Sequence, residues 1–329
     1  MLAGWYESLG PAAEVIKVGQ LEDPVPGPGE VRVQLHASGV NPSDVKRRSG
    51  AVVRQMPFPR IVPHSDGAGI IDRVGEGVSK SRLGERVWVF NGAWKRPMGT
   101  AAEYIALPAS QVVPLPDDTS FDEGACLGIP AMTAHRCVFA EGPVKGRTVL
   151  VTGGAGAVGG YAVQLARWGG ATVLSTVSSE SKGRIARDFG AHEVIDYKRE
   201  DVARRVLELT GGQGVDRIVD VDVSANLGTD LAVLKDRGTI SVYAAPAGVQ
   251  PPLPVHALMM KNVTVRFVLV YDMEDEAKAQ ACRDITAWLE SGTANHLIAA
   301  RFPLEQLVLA HELQESGGQV GNVVVRVMR

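Results

Sequence analysis

The chain has little cysteine, no long apolar run and no excess of either charge, and each shortage removes a class of protein. Its three cysteines, Cys126, Cys137 and Cys282, are odd in number and nowhere spaced as CxxC. Neither a disulfide framework nor a metal knuckle is therefore expected, and the thiols read as buried groups in a reducing compartment. No stretch reaches the ~18 to 20 uninterrupted apolar residues that span a bilayer. Residues 1–10 lack the basic and apolar segments of an export signal, so a soluble, cytoplasmic protein without a membrane partner is expected. Thirty-four basic against 37 acidic residues give a formal charge of -3, with no polybasic run and no acidic tail. Nucleic acid is accordingly not an expected partner.

What is present is enough chain for two cores, since 329 residues exceed one ordinary domain, and an active-site cleft between two domains is the natural expectation. The first third is dense in Gly and Pro. It carries short alternating runs, Val31-Arg32-Val33-Gln34-Leu35-His36 and Arg86-Val87-Trp88-Val89-Phe90, separated by turns such as Pro24-Val25-Pro26-Gly27-Pro28-Gly29 and Gly75-Glu76-Gly77. This portion reads as a β-rich, loop-heavy domain.

After Asp118 the pattern changes to strands and helices in alternation. Strands are expected at 148–152, 171–177, 194–195, 215–221 and 239–243, with helices at 158–168, 180–190, 201–209 and 227–235. The first of these helices places Val158, Ala162, Leu165 and Trp168 on one face. Such alternation predicts an α/β doubly wound parallel sheet. A further strand at 263–270, helices at 274–290 and 304–315, and a strand at 323–327 complete the chain.

Gly153-Gly154-Ala155-Gly156-Ala157-Val158-Gly159 follows a buried strand and opens a helix. In that setting the glycines permit a tight turn, close approach of a pyrophosphate and close helix-to-strand packing, while the helix N-terminus offers N–H groups to the phosphates. Cofactor choice is read at the end of the second strand, where an NAD-selective site usually carries an acid for the ribose 2′-hydroxyl. Here Ser178, Ser179 and Lys182 stand in that place, with Tyr197 after the third strand. Small hydroxyls and a lysine suit a 2′-phosphate and so NADPH; the alternative is that the serines cap the next helix and Lys182 is solvated surface.

The sequence resembles the medium-chain dehydrogenase/reductase superfamily, and within it the zeta-crystallin-like quinone oxidoreductase branch, over essentially its whole length. The resemblance rests on Gly39-Val40-Asn41-Pro42-Ser43-Asp44, Pro63-His64-Ser65-Asp66-Gly67-Ala68-Gly69, Gly84-Glu85-Arg86-Val87-Trp88 and Ala102-Glu103-Tyr104. Gly128-Ile129-Pro130-Ala131-Met132-Thr133-Ala134, the glycine motif and Gly190-Ala191-His192-Glu193 extend it. It implies a Rossmann NADPH-binding domain at 123–270 inserted into a GroES-like catalytic domain at 1–122, completed by 271–329.

Where zinc-dependent relatives place a cysteine and a histidine ligand, this chain has Asn41 and Ser65, so the resemblance implies a reductase without metal. His64 lies one position from the ligand slot and reads as a polar loop residue. Without a Lewis acid to stabilise an alkoxide, the expected acceptor is a quinone, or alternatively an α,β-unsaturated carbonyl (an enoyl or alkenal group). The resemblance assigns catalytic positions to Asn41, Asp44 and Lys46, the last where zeta-crystallin-like members carry tyrosine. It assigns cofactor contacts to Thr133, Tyr243, Ala244, Phe267, Val268, Leu269 and Asn322. An Asn-Pro turn for Asn41, a solvated lysine for Lys46, a helix-start threonine and ordinary strand ends are the structural alternatives. A protein that binds NADPH without turnover, as a redox sensor, is the rival of another class. The apolar run from Thr264 to Val270 near a sheet edge implies a twofold homodimer.

Overall fold

The computed structural model describes residues 1–246 and 249–328. Its contacts divide the chain into two units, Met1–Ile129 with His296–Arg329, and Pro130–Asn295.

The second unit is built on six parallel strands. Thr148–Val151, Thr172–Val177 and Glu193–Asp196 run outward on one side, and Val215–Asp220, Leu234–Val242 and Thr264–Phe267 on the other. Numbered by their order in the chain, these strands lie in the sheet as 3-2-1-4-5-6, the Rossmann arrangement with its switch point beside the first strand. The first strand is continuously apolar because both faces are covered: Val149, Leu150 and Val151 are fully buried. The helix that follows, Ala157–Trp168, departs from the single apolar face expected of it. Every residue from Gly159 to Ala166 is buried, while Trp168 is exposed. A helix wrapped in protein needs no polar stripe.

The first unit holds a seven-stranded sheet centred on the long strand Glu30–Val40, which pairs with Asp66–Val74, Tyr104–Pro108 and Asn322–Arg326. The chain therefore returns to its starting unit at the C-terminus. There Asn322–Arg326 lies antiparallel to Glu30–Val40, and Ile298–Pro303, a strand not read from the sequence, lies parallel to Asn322–Arg326. Val31, Val33, Leu35, Leu107, Val323 and Val325 meet in one core.

The return begins later than the expected boundary at 270/271. The helix Asp275–Glu290 belongs to the second unit: Trp288 is buried edge-on against Tyr161, and Asp284 accepts from His135 at 2.7 Å. The run expected as a strand over 263–270 forms one only at Thr264–Phe267, on the edge of the six-stranded sheet, before Val270–Asp272 turns as a 3-10 segment.

Candidate active site

In the first unit, Asn41 ends the strand Glu30–Val40 and caps the helix Pro42–Ser49. Asp44, three residues on, turns back so that its Oδ2 accepts the Asn41 backbone N–H at 2.8 Å, the reciprocal half of a capping box. Both side chains are buried. The Asn41 amide is not aimed freely outward: its Nδ2 donates to Asp66 Oδ2 at 2.8 Å, and the same oxygen accepts the Ile129 N–H at 2.9 Å. One amide hydrogen of Asn41 is thus spent, and the Asp66 bond fixes which way its amide faces. Asp66 packs so closely on the next turn that a Cβ at Gly128 would lie 2.2 Å from its Oδ1. This is the physical content of glycine at the head of the 128–134 motif.

Burial pushes the Asp44 carboxyl up to about 7, against the pull of the Asn41 N–H and the Arg47 guanidinium. It raises Asp66 well above the carboxylate range as well, and the Asp44 charge adds to that shift. Asp44 borders a pocket of about 360 Å³ whose walls are largely apolar and aromatic, with Tyr6, Phe58 and Trp94 among them. The Tyr6 phenol is pushed up to about 12 by burial and by Asp44, so it stays a hydroxyl donor across the physiological range. Arg47 completes this side, its guanidinium carbon 4.7 Å from the centre of the Trp94 ring.

The helix pitch separates the three consecutive cations. Lys46 is exposed and does not line the pocket, Arg47 does, and Arg48 is fully buried, bonded to Glu315 and the Gly10 carbonyl. Lys46 is thus the solvated lysine of the alternative reading, and Arg47 is the cation that shares the pocket with Asp44. A helical count shows why, since positions three apart share a face. Tyr6, Phe58 and Trp94 carry no motif and come together only through the fold.

His64 is in a loop, as expected, but it is no exposed polar group. It is buried with φ of 75°, its Nδ1 is 2.8 Å from Ser38 Oγ and its Nε2 is 2.9 Å from Nε2 of His311. Ser38 lies 2.7 Å from the Thr100 hydroxyl, which donates to the Asp66 carbonyl. Burial depresses His64 to about 3 and also holds His311 well below the usual histidine range, so the pair is neutral and one ring donates to the other. Ser65 Oγ is buried without a hydrogen-bond partner among the described residues.

In the second unit the glycine turn has the features a dinucleotide diphosphate needs. Gly153 adopts a φ of 69°, and a Cβ on Gly159 would meet the Gly153 carbonyl oxygen at 2.3 Å. Gly156 is the N-cap of the helix Ala157–Trp168 and no side chain caps it, which leaves the first N–H groups, those of Ala157, Val158 and Gly159, for an anion. The chain's own residues thus fit the phosphates of the cofactor.

Ser179 caps the helix Glu180–Asp188, accepting the Lys182 N–H at 3.3 Å, while Ser178 and Lys182 are half-buried and Tyr197 is exposed. The capping alternative thus holds for Ser179. Thr133 is buried in the first turn of the helix Met132–Phe139. The Tyr243 N–H bonds to the Asp220 carbonyl at 3.2 Å and the Val268 N–H to that of Val242 at 2.8 Å, so these two donors serve the sheet. Ala244 is half-buried; Phe267 and Leu269 are exposed. Asn322 belongs to the first unit, where its backbone and side-chain nitrogens both donate to the Leu297 carbonyl, at 2.8 and 3.3 Å, and tie the last strand to the preceding one.

A 3-2-1-4-5-6 sheet carrying an uncapped glycine turn, joined in one chain to a β-rich unit with an acid-bearing apolar pocket, defines a pyridine-nucleotide-dependent dehydrogenase or reductase. Residues 27–117 match the alcohol dehydrogenase GroES-like domain and residues 157–286 the zinc-binding dehydrogenase family. A quinone oxidoreductase of Rattus norvegicus is 33% identical over 97% of this chain and 95% of its own length. A 2-haloacrylate reductase of a Burkholderia species is 32% identical over 95% and 93%. A mycobacterial protein solved in complex with NADPH superposes with a TM-score of 0.84, at 31% identity over 99% of this chain and 100% of the other. The chain belongs to the medium-chain dehydrogenase/reductase superfamily, in its quinone oxidoreductase branch.

Proposed function

We propose that the protein is an NADPH-dependent reductase of quinones. The observation that carries this reading is the aromatic-walled pocket of about 360 Å³ with a buried carboxyl, Asp44, whose pKa is about 7. NADPH, when bound, supplies hydride. A planar conjugated acceptor suits walls of Tyr6, Phe58 and Trp94, and its reduction to the hydroquinone consumes one proton for each hydride. Asp44 can hold that proton at its carboxyl near neutral pH, Tyr6 donates a hydrogen bond, and Asn41 is a polar wall oriented by Asp66.

The glycine turn from Gly153 to Gly159 takes the diphosphate, and Ser178, Lys182 and Tyr197 favour a 2′-phosphate on the ribose. Thr133, Tyr243, Ala244 and the segment Phe267, Val268 and Leu269 face the nicotinamide on this reading. Chemistry without metal follows from the residues themselves, since Asn41 and Ser65 at the ligand positions of zinc-dependent relatives are poor zinc ligands. The reading extends to a cytoplasmic homodimer.

Arg47 and Lys95 on the pocket favour a second reading, an enone that carries an acid group, in keeping with the likeness to a 2-haloacrylate reductase. Steady-state NADPH and NADH oxidation with a panel of quinones, enones and enoyl-CoA separates the two. Quinone turnover with NADPH preferred is expected. Efficient enone reduction without quinone turnover would move the assignment to the second reading. Tryptophan quenching by NADPH with no acceptor reduced would make the protein a sensor.

A further inference from the structure

The second unit buries two carboxyls that the proposed chemistry does not use. Asp220 ends the strand Val215–Asp220 and Asp230 lies on the helix Val223–Val233, and neither is exposed to solvent. One oxygen of Asp220 is well supplied: Oδ1 accepts from the Thr152 hydroxyl at 2.8 Å, the Asn226 amide at 2.7 Å and the Asp222 N–H at 3.0 Å. Asp220 Oδ2 and both oxygens of Asp230 are buried and meet no donor among the described residues. The two carboxyls are within hydrogen-bonding reach of each other.

Buried acceptors without donors are costly, and two adjacent carboxylates in a dry interior are costlier still. A single proton on Asp230, donated to Asp220, gives Asp220 Oδ2 its donor and removes one of the two charges. Burial and the Asp220 charge push Asp230 up to about 9. The Tyr243 phenol faces Asp220 with the Cys137 thiol beside it, both raised by burial and neutral; Asp222, whose N–H bonds Asp220, is the other acid close by, and no cation is among the groups that shift Asp230.

The pair is wired to the glycine turn. The Thr152 hydroxyl that donates to Asp220 also accepts the Val221 N–H at 2.9 Å, and Thr152 is the residue before Gly153. We propose that Asp230 is a positioning residue for the cofactor: the proton it shares with Asp220 holds Thr152, and with it the glycine turn, in the form that accepts the NADPH diphosphate. Loss of that proton places a second negative charge behind the site of an anionic ligand and pulls on the Thr152 bond. Affinity is then complete below about pH 9 and falls above it, approaching about tenfold in Kd per pH unit.

This inference rests on the reading of the turn as the NADPH site, and its test reads binding, not turnover. Kd for NADPH is measured by fluorescence at about pH 7 and about pH 10. The wild-type ratio between the two is expected to be about tenfold. In D230N, where an amide hydrogen permanently replaces the shared proton, the ratio should fall to about twofold; T152V should also flatten it and T152S restore it. Calorimetry near pH 9, in buffers of unlike ionisation enthalpy, should show proton uptake on binding to the wild type and none with D230N. Should D230N fail to fold, the Thr152 pair and the wild-type proton uptake decide the matter. Equal ratios in wild type and variants, or no proton uptake, overturn the inference alone. Absence of NADPH binding at every pH overturns the functional reading with it.

Discussion

At the scale of single residues, Asp44 is asked to do two things, to hold the start of its helix and to hold a proton. Its Oδ2 accepts the Asn41 N–H, and burial keeps its pKa at about 7. A proton donor acts only while protonated, so kcat is expected to be full below pH 7 and to decline as pH rises through about 7. An amide oxygen can still accept the Asn41 N–H, so D44N should keep the helix cap but lose the titration and roughly a hundredfold in kcat. Stopped-flow turnover across the pH range checks this, and an unchanged profile in D44N would remove Asp44 from proton transfer. Asp44 and Asn41 were legible in the sequence because they sit in a short motif at capping spacing. Their partner Asp66 and the pocket walls Tyr6, Phe58 and Trp94 were not, because residues far apart in the chain are brought together only by pairing of strands whose register a lone sequence does not state. Lys46 is a solvated lysine, one of the two readings its sequence allowed, while Arg47, which carries no motif of its own, is the cation that lines the pocket.

At the scale of elements, the strand and helix around the glycine turn were the most legible part of the molecule, since an apolar run, a glycine cluster and a helix in that order leave few alternatives. Two glycines of the turn serve different ends. A Cβ at Gly159 would meet the Gly153 carbonyl oxygen at 2.3 Å and its carbon at 2.9 Å, so the backbone itself must shift. At Gly156 the nearest atom would be 3.2 Å away and φ is -75°, a value any residue adopts. G159A should therefore lose roughly 1–3 kcal/mol of stability and bind NADPH poorly. G156A should melt close to the wild type yet weaken NADPH at least about tenfold, because its methyl group occupies the space kept for the diphosphate. Thermal unfolding and NADPH titration of the two variants, side by side, check the contrast. Equal losses of stability in both would show that the turn's packing, not the ligand, requires the second glycine. The elements the sequence misjudged were those whose setting is non-local. Ile298–Pro303 is a strand only because Asn322–Arg326 is beside it, and 263–270 was cut short where the sheet ends.

At the scale of the whole molecule, the edge of the six-stranded sheet is left uncovered. Thr264–Phe267 pairs with Leu234–Val242 on one side, and no described strand pairs with it on the other. Phe267 is 73% exposed, Met259 and Met260 are each 71% exposed, and Val255 and Leu269 are exposed beside them in the chain. Isolated apolar residues on a surface need no explanation, but an unpaired edge strand that ends in an exposed Phe267, with the exposed Val255, Met259 and Met260 on the helix Val255–Met260 before it and Leu269 after it, is a liability that proteins blunt with charge or cover with protein. Thr264–Phe267 offers one cation, Arg266, and it is tied to Glu141 at 2.5 Å. A second copy of the chain laid edge to edge about a twofold axis would pair the open backbone groups and bury these side chains together. The expected species is accordingly a dimer by light scattering, and F267D, which places a charge against its symmetry mate, should shift it to monomer while each unit stays folded by circular dichroism. A wild-type monomer, or an F267D dimer of undiminished affinity, would mean that this edge is not where the copies meet.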